Sequence, residues 1–242
     1  MLAGRVALLY LLPLSLQELD DARLGPSSAE DWLFFGGYPR LHSASIPPET
    51  FFSNYVQTYA ERDVRRELGV RKVREFTTFL QLCALRTGQQ LNISSLASDC
   101  GVAMNTVREW LSVLEASGIV YLLEPLFSNR SKSLTKAPKL YFLDTGLAAY
   151  LMGIRSADEL LLSEFRGALF ETAVIAEVLK AGYSLGSKPE LSYWRDAKKR
   201  EIDLVVRRGL RPAKAIEIKS SATYKSRFFD SSSLRVDSTS LR

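Results

Sequence analysis

Histidine is almost absent from this chain: His42 is the only one in 242 residues. Histidine metal clusters and His-based catalytic triads therefore have almost no raw material, and His42 itself reads as an ordinary loop residue. Cysteine is nearly as scarce. Cys83 and Cys100 stand too far apart for a compact ligand pair, and two are too few for a disulfide scaffold. Both are expected as thiols of a cytoplasmic protein. No apolar run is long enough to cross a bilayer. The N-terminal MLAGRVALLYLLPLSLQEL places Arg5 ahead of VALLYLL, but that run is short and lacks a clean small-residue cleavage pattern. It reads as a buried strand or helix.

What is there is ordinary globular material. Hydrophobic residues make up 46% of the chain, enough to build a substantial core in one large or two modest domains, and two are expected. Lys plus Arg number 32 against 27 Asp plus Glu, for a charge of +5 and a pI near 9.2. That balance suits an acidic partner such as nucleic acid without selecting one.

Residues 1–50 hold a short apolar element followed by Gly-, Pro- and Ser-rich turns, read as helix, turn and loop. Phe51 to Leu68 predicts a helix whose Glu61, Arg62, Asp63, Arg65, Arg66 and Glu67 form a charged, solvated surface. From Phe76, apolar residues recur at Phe79, Leu80 and Cys83, the spacing of one helix stripe against a core. Next, Ser94 to Asp99 predicts a short helix, Cys100 to Met104 a turn, and Asn105 to Ala116 a second helix with Asn105 as N-cap. Val107, Trp110, Leu111 and Leu114 fall on one face of that second helix, with Thr106, Arg108, Glu109 and Ser112 outside.

Gly118 closes that helix, and IVYLLEPLF with KLYFLD reads as a hairpin around the basic NRSKSLTKAPK. Helix, turn, helix and basic hairpin is the pattern of a winged helix, expected over residues 51–139. Such a module reads the major groove with its second helix and touches phosphate with its wing. Thr106, Arg108, Arg130, Lys132, Lys136 and Lys139 are then candidate DNA contacts. Winged helices also serve purely as packing or protein-contact modules, and Glu109 opposes phosphate, so DNA and a protein partner both stand as readings.

Residues 140–223 predict an α/β unit. YFLD gives a strand capped by Asp144 and leading to a short helix, and LLSEFRGALFETAVIAEVLKAG gives a long helix ending at Gly182. ELSYWRD, REIDLVVRR and KAIEIKSS supply three short strands. Alternation along the last puts Glu217 and Lys219 on the face opposite Ile216 and Ile218, and Asp203 opposite Ile202 and Leu204. If the strands pair, Asp203 and Glu217 converge, and hard carboxylate oxygens suit Mg²⁺. Lys219 would then orient the attacking water or stabilise phosphate charge. Glu171, among Val174, Ile175 and Val178 on the long helix, completes the constellation, with Arg195 and Asp196 at its rim. The same residues also read as a structural ion-pair cluster between helix and sheet.

The order Glu171, Asp203, then Glu217-x-Lys219 resembles the PD-(D/E)xK nuclease superfamily, in which such residues bind Mg²⁺ and hydrolyse a phosphodiester. LAGRVALLYLLPLSLQEL, WLFFGGYP, YVQTYAERDVR, KAPKLYFLDTGLAAYLMG, FRGALFETAVIAEVLK and EIDLVV with AIEIKSS are similar to the C-terminal part of prokaryotic AAA-type ATP-binding proteins. Those carry a winged helix and a nuclease-like C-terminal domain. The resemblance implies an α/β fold in which a winged helix precedes a restriction-endonuclease-like mixed-sheet domain, with residues 1–50 as the end of an ATPase domain and its linker. It implies Mg²⁺ at Glu171, Asp203 and Glu217, with Lys219 catalytic.

The chain lacks the G-x-x-x-x-G-K-[ST] loop and its acidic strand, so ATP is expected only in full-length family members. Arg5 matches an arginine near the end of the ATPase domain. A Ser-rich polar tail, residues 224–242, stands where a further helix and strand are expected. Both ends therefore read as curtailed, and VALLYLL without neighbouring strands predicts an exposed apolar patch.

Overall fold

Short polar caps organise the N-terminal part. Ser15 accepts from the Glu18 N–H while the Glu18 carboxylate accepts from the Ser15 N–H, a capping box opening α1 (Leu16–Asp21). Ser28 caps α2 (Ala29–Phe35) by accepting from the Asp31 N–H, and Pro sits in the first turn of α3 (Pro39–Ser43) and α4 (Pro48–Thr58). In the computed structural model, residues 10–59, 73–126, 137–196, 200–208 and 211–220 are described. His42 lies in α3 rather than a loop, its Nε2 2.9 Å from the Gly36 carbonyl oxygen. The charged run from Glu61 to Glu67, the first nine residues and the Ser-rich tail fall outside the described residues. Beside them, Leu11 is fully exposed.

α5 (Val73–Ala84), α6 (Ile93–Cys100) and α7 (Met104–Ala116) bury the expected stripes. Phe76, Phe79, Leu80 and Cys83 pack against Val107, Trp110, Leu111 and Leu114, and the Trp110 ring lies 5.3 Å from both Phe76 and Phe79. Such aromatic pairs add about 0.5–1.5 kcal/mol each beyond burial. Asn105 is not the cap of α7. The chain turns at Ala103, which is extended and has no side-chain cap bond, so Asn105 already lies inside the helix and accepts from Arg108 at 2.9 Å. The asparagine that caps is Asn92, which accepts from the Ser95 N–H at the start of α6.

Gly118, at φ 66°, turns the chain into β1 (Val120–Leu123), which pairs antiparallel with β2 (Lys139–Phe142) in the register Leu123 to Lys139. Gln90 makes an antiparallel bridge to Lys139, so the segment between α5 and α6 flanks the hairpin. α8 (Thr145–Leu151) and α9 (Ala157–Leu162) follow. The long helix expected from Leu161 onward is two pieces: Ser163 is extended, ending α9, and α10 (Arg166–Ser184) begins afresh.

β3 (Glu190–Arg195), β4 (Glu201–Arg208) and β5 (Arg211–Ile216) form an antiparallel sheet in sequence order. A parallel bridge between Pro125 and Tyr193 joins the end of β1 to β3. The fold is thus mixed α/β with small antiparallel sheets. Ile175 and Leu179 of α10 pack on Tyr193, Leu204 and Ile218, a second core that holds the helix against the sheet. No helix among the described residues is long and apolar enough to cross a membrane.

Candidate acidic and lysine centre

β4 is buried on both faces around Asp203: Ile202, Leu204 and Val205 are buried, and so is Asp203 itself. A buried carboxylate requires donors. The Ile218 N–H donates to Asp203 Oδ2 at 2.8 Å, taking up where ladder pairing stops at Ile216, and Lys219 Nζ lies 3.6 Å from the same oxygen. Lys219 also pairs with Glu217 Oε1 at 2.7 Å. Asp203, Glu217 and Lys219 therefore meet, although Glu217 and Lys219 lie just beyond β5 rather than within a strand. Lys219 is partly exposed, so the group is reachable from solvent.

Glu171 approaches from α10. Its Oε1 accepts from the Tyr141 hydroxyl at 2.5 Å and lies 3.3 Å from Lys139 Nζ. Lys139 pairs at 2.5 Å with Glu201, whose other oxygen lies 3.5 Å from Arg195 Nε, and its ammonium sits 5.5 Å from the centre of the Tyr193 ring. Lys139 is 4% exposed. The expected DNA contact is thus withdrawn from solvent, because β2 runs against α10 and β4 and its first side chain is enclosed between their carboxylates. At the rim, Asp196 binds the backbone and side chain of Arg200.

The electrostatics follow from burial. Burial pushes the Glu171 carboxyl above its ordinary range, against the lowering effect of Lys139 and Tyr141, and Asp203 adds to the rise. Glu217 is likewise raised by burial and by Asp203, with Lys219 opposing. For Lys139 and Lys219 burial pulls the other way, but the surrounding carboxylates outweigh it and both ammonium groups are held above the usual lysine value.

Among the described residues no three Asp, Glu, His or Cys side chains converge into a group that could hold a metal ion, since the carboxylates are interleaved with ammonium groups. Oxygen donors of this kind suit a hard divalent cation, but each is engaged by an ammonium group, Glu171 and Glu201 by Lys139, and Asp203 and Glu217 by Lys219. Glu201 was the residue missed from sequence. Its signal was present, because Glu201 and Asp203 are two apart in β4, as Lys139 and Tyr141 are in β2, and alternate strand residues share a face.

Exposed Arg108 and half-buried Thr106 lie on α7. Arg108 lines a cleft of about 520 Å³ with Gln90, Asn92, Ser94, Met104 and Ala137. Gln90 donates to the Tyr193 hydroxyl at 2.9 Å, and that hydroxyl donates to the Ala137 carbonyl at 2.7 Å, so the cleft and the acidic centre share Tyr193. Arg130, Lys132 and Lys136 lie outside the described residues.

Residues 27–158, more than half of the chain, match the family described as Domain of unknown function (DUF8612). The chain belongs to the DUF8612 family. After the DUF8612 region, residues 166–240 match a second Domain of unknown function (DUF4143), a domain found in AAA-ATPase-associated proteins. The chain is similar to the uncharacterized proteins Rv2008c of Mycobacterium tuberculosis and Mb2031c of Mycobacterium bovis, 32% identical to each over 228 residues that cover 92% of the chain and 48% of the relative. It thus spans about half the length of these curated relatives. No solved structure matches it significantly. Within the centre, the DUF8612 region contributes Lys139 and Tyr141, and the DUF4143 region contributes Glu171, Glu201, Asp203, Glu217 and Lys219.

Proposed function

We propose that this chain is a cytoplasmic DNA-associated module of an AAA-ATPase-associated protein, with a winged helix that binds DNA and an endonuclease-like centre that hydrolyses a phosphodiester with Mg²⁺. The observation that carries the reading is the meeting of Asp203, Glu217 and Lys219 at a solvent-reachable edge, with Glu171 alongside. The order of α5, the Gln90 bridge, α6, α7 and the β1–β2 hairpin supports the winged helix, with α7 as its reading helix. The free, buried thiols of Cys83 and Cys100 support the cytoplasmic placement.

Asp203, Glu217 and Glu171 would hold the ion, which when bound supplies charge neutralisation at the phosphoryl group and a more acidic water. Lys219 would sit beside a non-bridging phosphate oxygen or the attacking water, its ammonium kept charged by Glu217 and Asp203. Arg108 and Thr106, with Arg130, Lys132 and Lys136, would hold the DNA backbone. ATP belongs to full-length relatives in this reading and has no step here.

Calorimetric titration of Mn²⁺ and Mg²⁺ tests it on the folded wild type beside Asp203→Asn and Glu217→Gln. Saturable binding lost in both variants is expected. A folded wild type that binds neither ion would move the assignment to a non-catalytic DNA- or protein-binding module, or to an inactive remnant of an ATPase-family protein. That second reading draws on the engagement of Glu171 by Lys139 and Tyr141, which makes the cluster an ion-pair lock between helix and sheet.

A further inference from the structure

The cleft beside α7 is lined by two amide side chains whose orientations are fixed. The Tyr193 hydroxyl spends its proton on the Ala137 carbonyl at 2.7 Å, so toward Gln90 it can only accept, and Gln90 Nε2 at 2.9 Å is the donor. Gln90 is left with its side-chain oxygen to offer. Asn92 is fixed the other way round: its Oδ1 accepts from the Ser95 N–H at 3.0 Å and from the Ser94 hydroxyl at 2.8 Å, which leaves its Nδ2 amino group. Gln90 pairs as a strand residue and Asn92 is extended, and residues two apart in extended chain share a face. The cleft wall therefore presents one acceptor and one donor together. Arg108 adds the charge, its Nη1 steadied by Asn105 Oδ1 at 2.9 Å and its Nε and Nη2 remaining as donors. Exposed Met104 adds apolar surface.

A ligand that answers this lining carries a donor beside an acceptor, a flat apolar face and a negative charge. The pairing edge of a nucleobase has the first, its ring the second and its phosphate the third. A peptide backbone also carries both hydrogen-bonding groups, but it has no charge to answer Arg108. In a duplex the pairing edge is already spent on the opposite strand, and a cleft of about 520 Å³ is of the size that encloses one small molecule rather than a double helix. We propose that the cleft seats one unpaired nucleotide of a single nucleic-acid strand, its base edge on Gln90 Oε1 and Asn92 Nδ2, its ring against Met104 and its phosphate on Arg108. The inference rests on the DNA-associated reading above and narrows it: the strand recognised here is open, at least locally. Gln90 and Asn92 then discriminate an open strand from a paired one, while Arg108 serves both.

Fluorescence anisotropy on the full chain tests this with a labelled mixed-sequence DNA strand about 12 nucleotides long, the same strand annealed to its complement, and unlabelled nucleoside monophosphates as competitor. Asn92→Ser keeps a capping oxygen for α6 and removes the amino donor. Gln90→Met, at an exposed position, removes the acceptor independently, so the test survives if one variant fails to fold. Each is expected to weaken single-strand binding about threefold to tenfold, the loss of one hydrogen bond, with duplex binding unchanged. Arg108→Ala should weaken both forms. Equal losses for strand and duplex in Asn92→Ser and Gln90→Met, or none for either, would overturn the inference and leave the duplex contact of Arg108 standing. Displacement of the strand by monophosphates at equal nucleotide concentration would overturn the strand and give the cleft to a free nucleotide. A folded wild type that binds neither nucleic acid would overturn this inference together with the DNA reading and hand the cleft to a protein partner.

Discussion

The Asp144 carboxylate accepts the Gly37 N–H at 2.7 Å, across 107 residues of chain, while capping α8 through the Leu147 N–H at 2.8 Å. One buried side chain thus opens a helix and fastens the loop before α3. Asp144→Ala removes the cap and leaves the Gly37 N–H buried without its acceptor. We expect a loss of about 2–4 kcal/mol, read as a lower urea midpoint at unchanged slope.

Gly36 adds a steric requirement at the same place. Its φ is 66°, and a Cβ there would stand 2.6 Å from Asp144 Oδ2. Gly36→Ala is therefore expected to destabilise by about 1–3 kcal/mol, and thermal melts of Gly36→Ala and Asp144→Ala with their double variant should show non-additive losses.

Glu30 of α2 accepts from Arg166 Nε at 2.8 Å and faces its Nη2 at 2.7 Å, tying α2 to the start of α10. Hydrogen bonding from Arg166 holds the Glu30 carboxyl below its ordinary range. Since the folded value lies below the unfolded one, the pair stabilises above the ordinary glutamate pKa and that contribution disappears as pH falls through the depressed value. Glu30→Gln should cost about 0.5–1 kcal/mol at pH 7. Denaturation curves at pH 7 and at acid pH should show the gap to wild type closing on acidification.

If α7 lies on DNA, Arg108 neutralises phosphate. Arg108→Ala should weaken binding to unrelated duplexes alike and lower the slope of log affinity against log salt by about one. Fluorescence anisotropy across a salt series reads both, and an unchanged slope would remove Arg108 from the interface.

Elements with one buried stripe were legible in the sequence. Phe76, Phe79, Leu80 and Cys83 in α5 and Val107, Trp110, Leu111 and Leu114 in α7 all lie in the core, because three-and-four spacing leaves no other face to bury. The hairpin and the three strands were legible from their β-branched and aromatic runs between turns, whereas Glu217 and Lys219 meet beyond the end of β5 and not by the strand alternation expected for them. Local chemistry was less decisive. Asn105 offered a cap, but backbone geometry put the turn at Ala103, and nothing in LLSEFRG marked Ser163 as the break between two helices. Lys139 was the largest departure. In the run KAPK it looks like one of several surface bases, and only the packing of β2 against α10 and β4, contacts distant in sequence, encloses it.

The ion pair between Lys139 and Glu201 also limits how such proteins can be recombined. Its two charges are encoded on either side of the gap between the family regions, so a chimera joining one DUF8612 region to a foreign DUF4143 region inherits half of a buried pair. Unless the incoming partner carries the matching charge, the junction closes over an uncompensated ion. Exchange between relatives should therefore preserve or lose Lys139 and Glu201 together, making the two regions a single heritable unit despite their separate family descriptions.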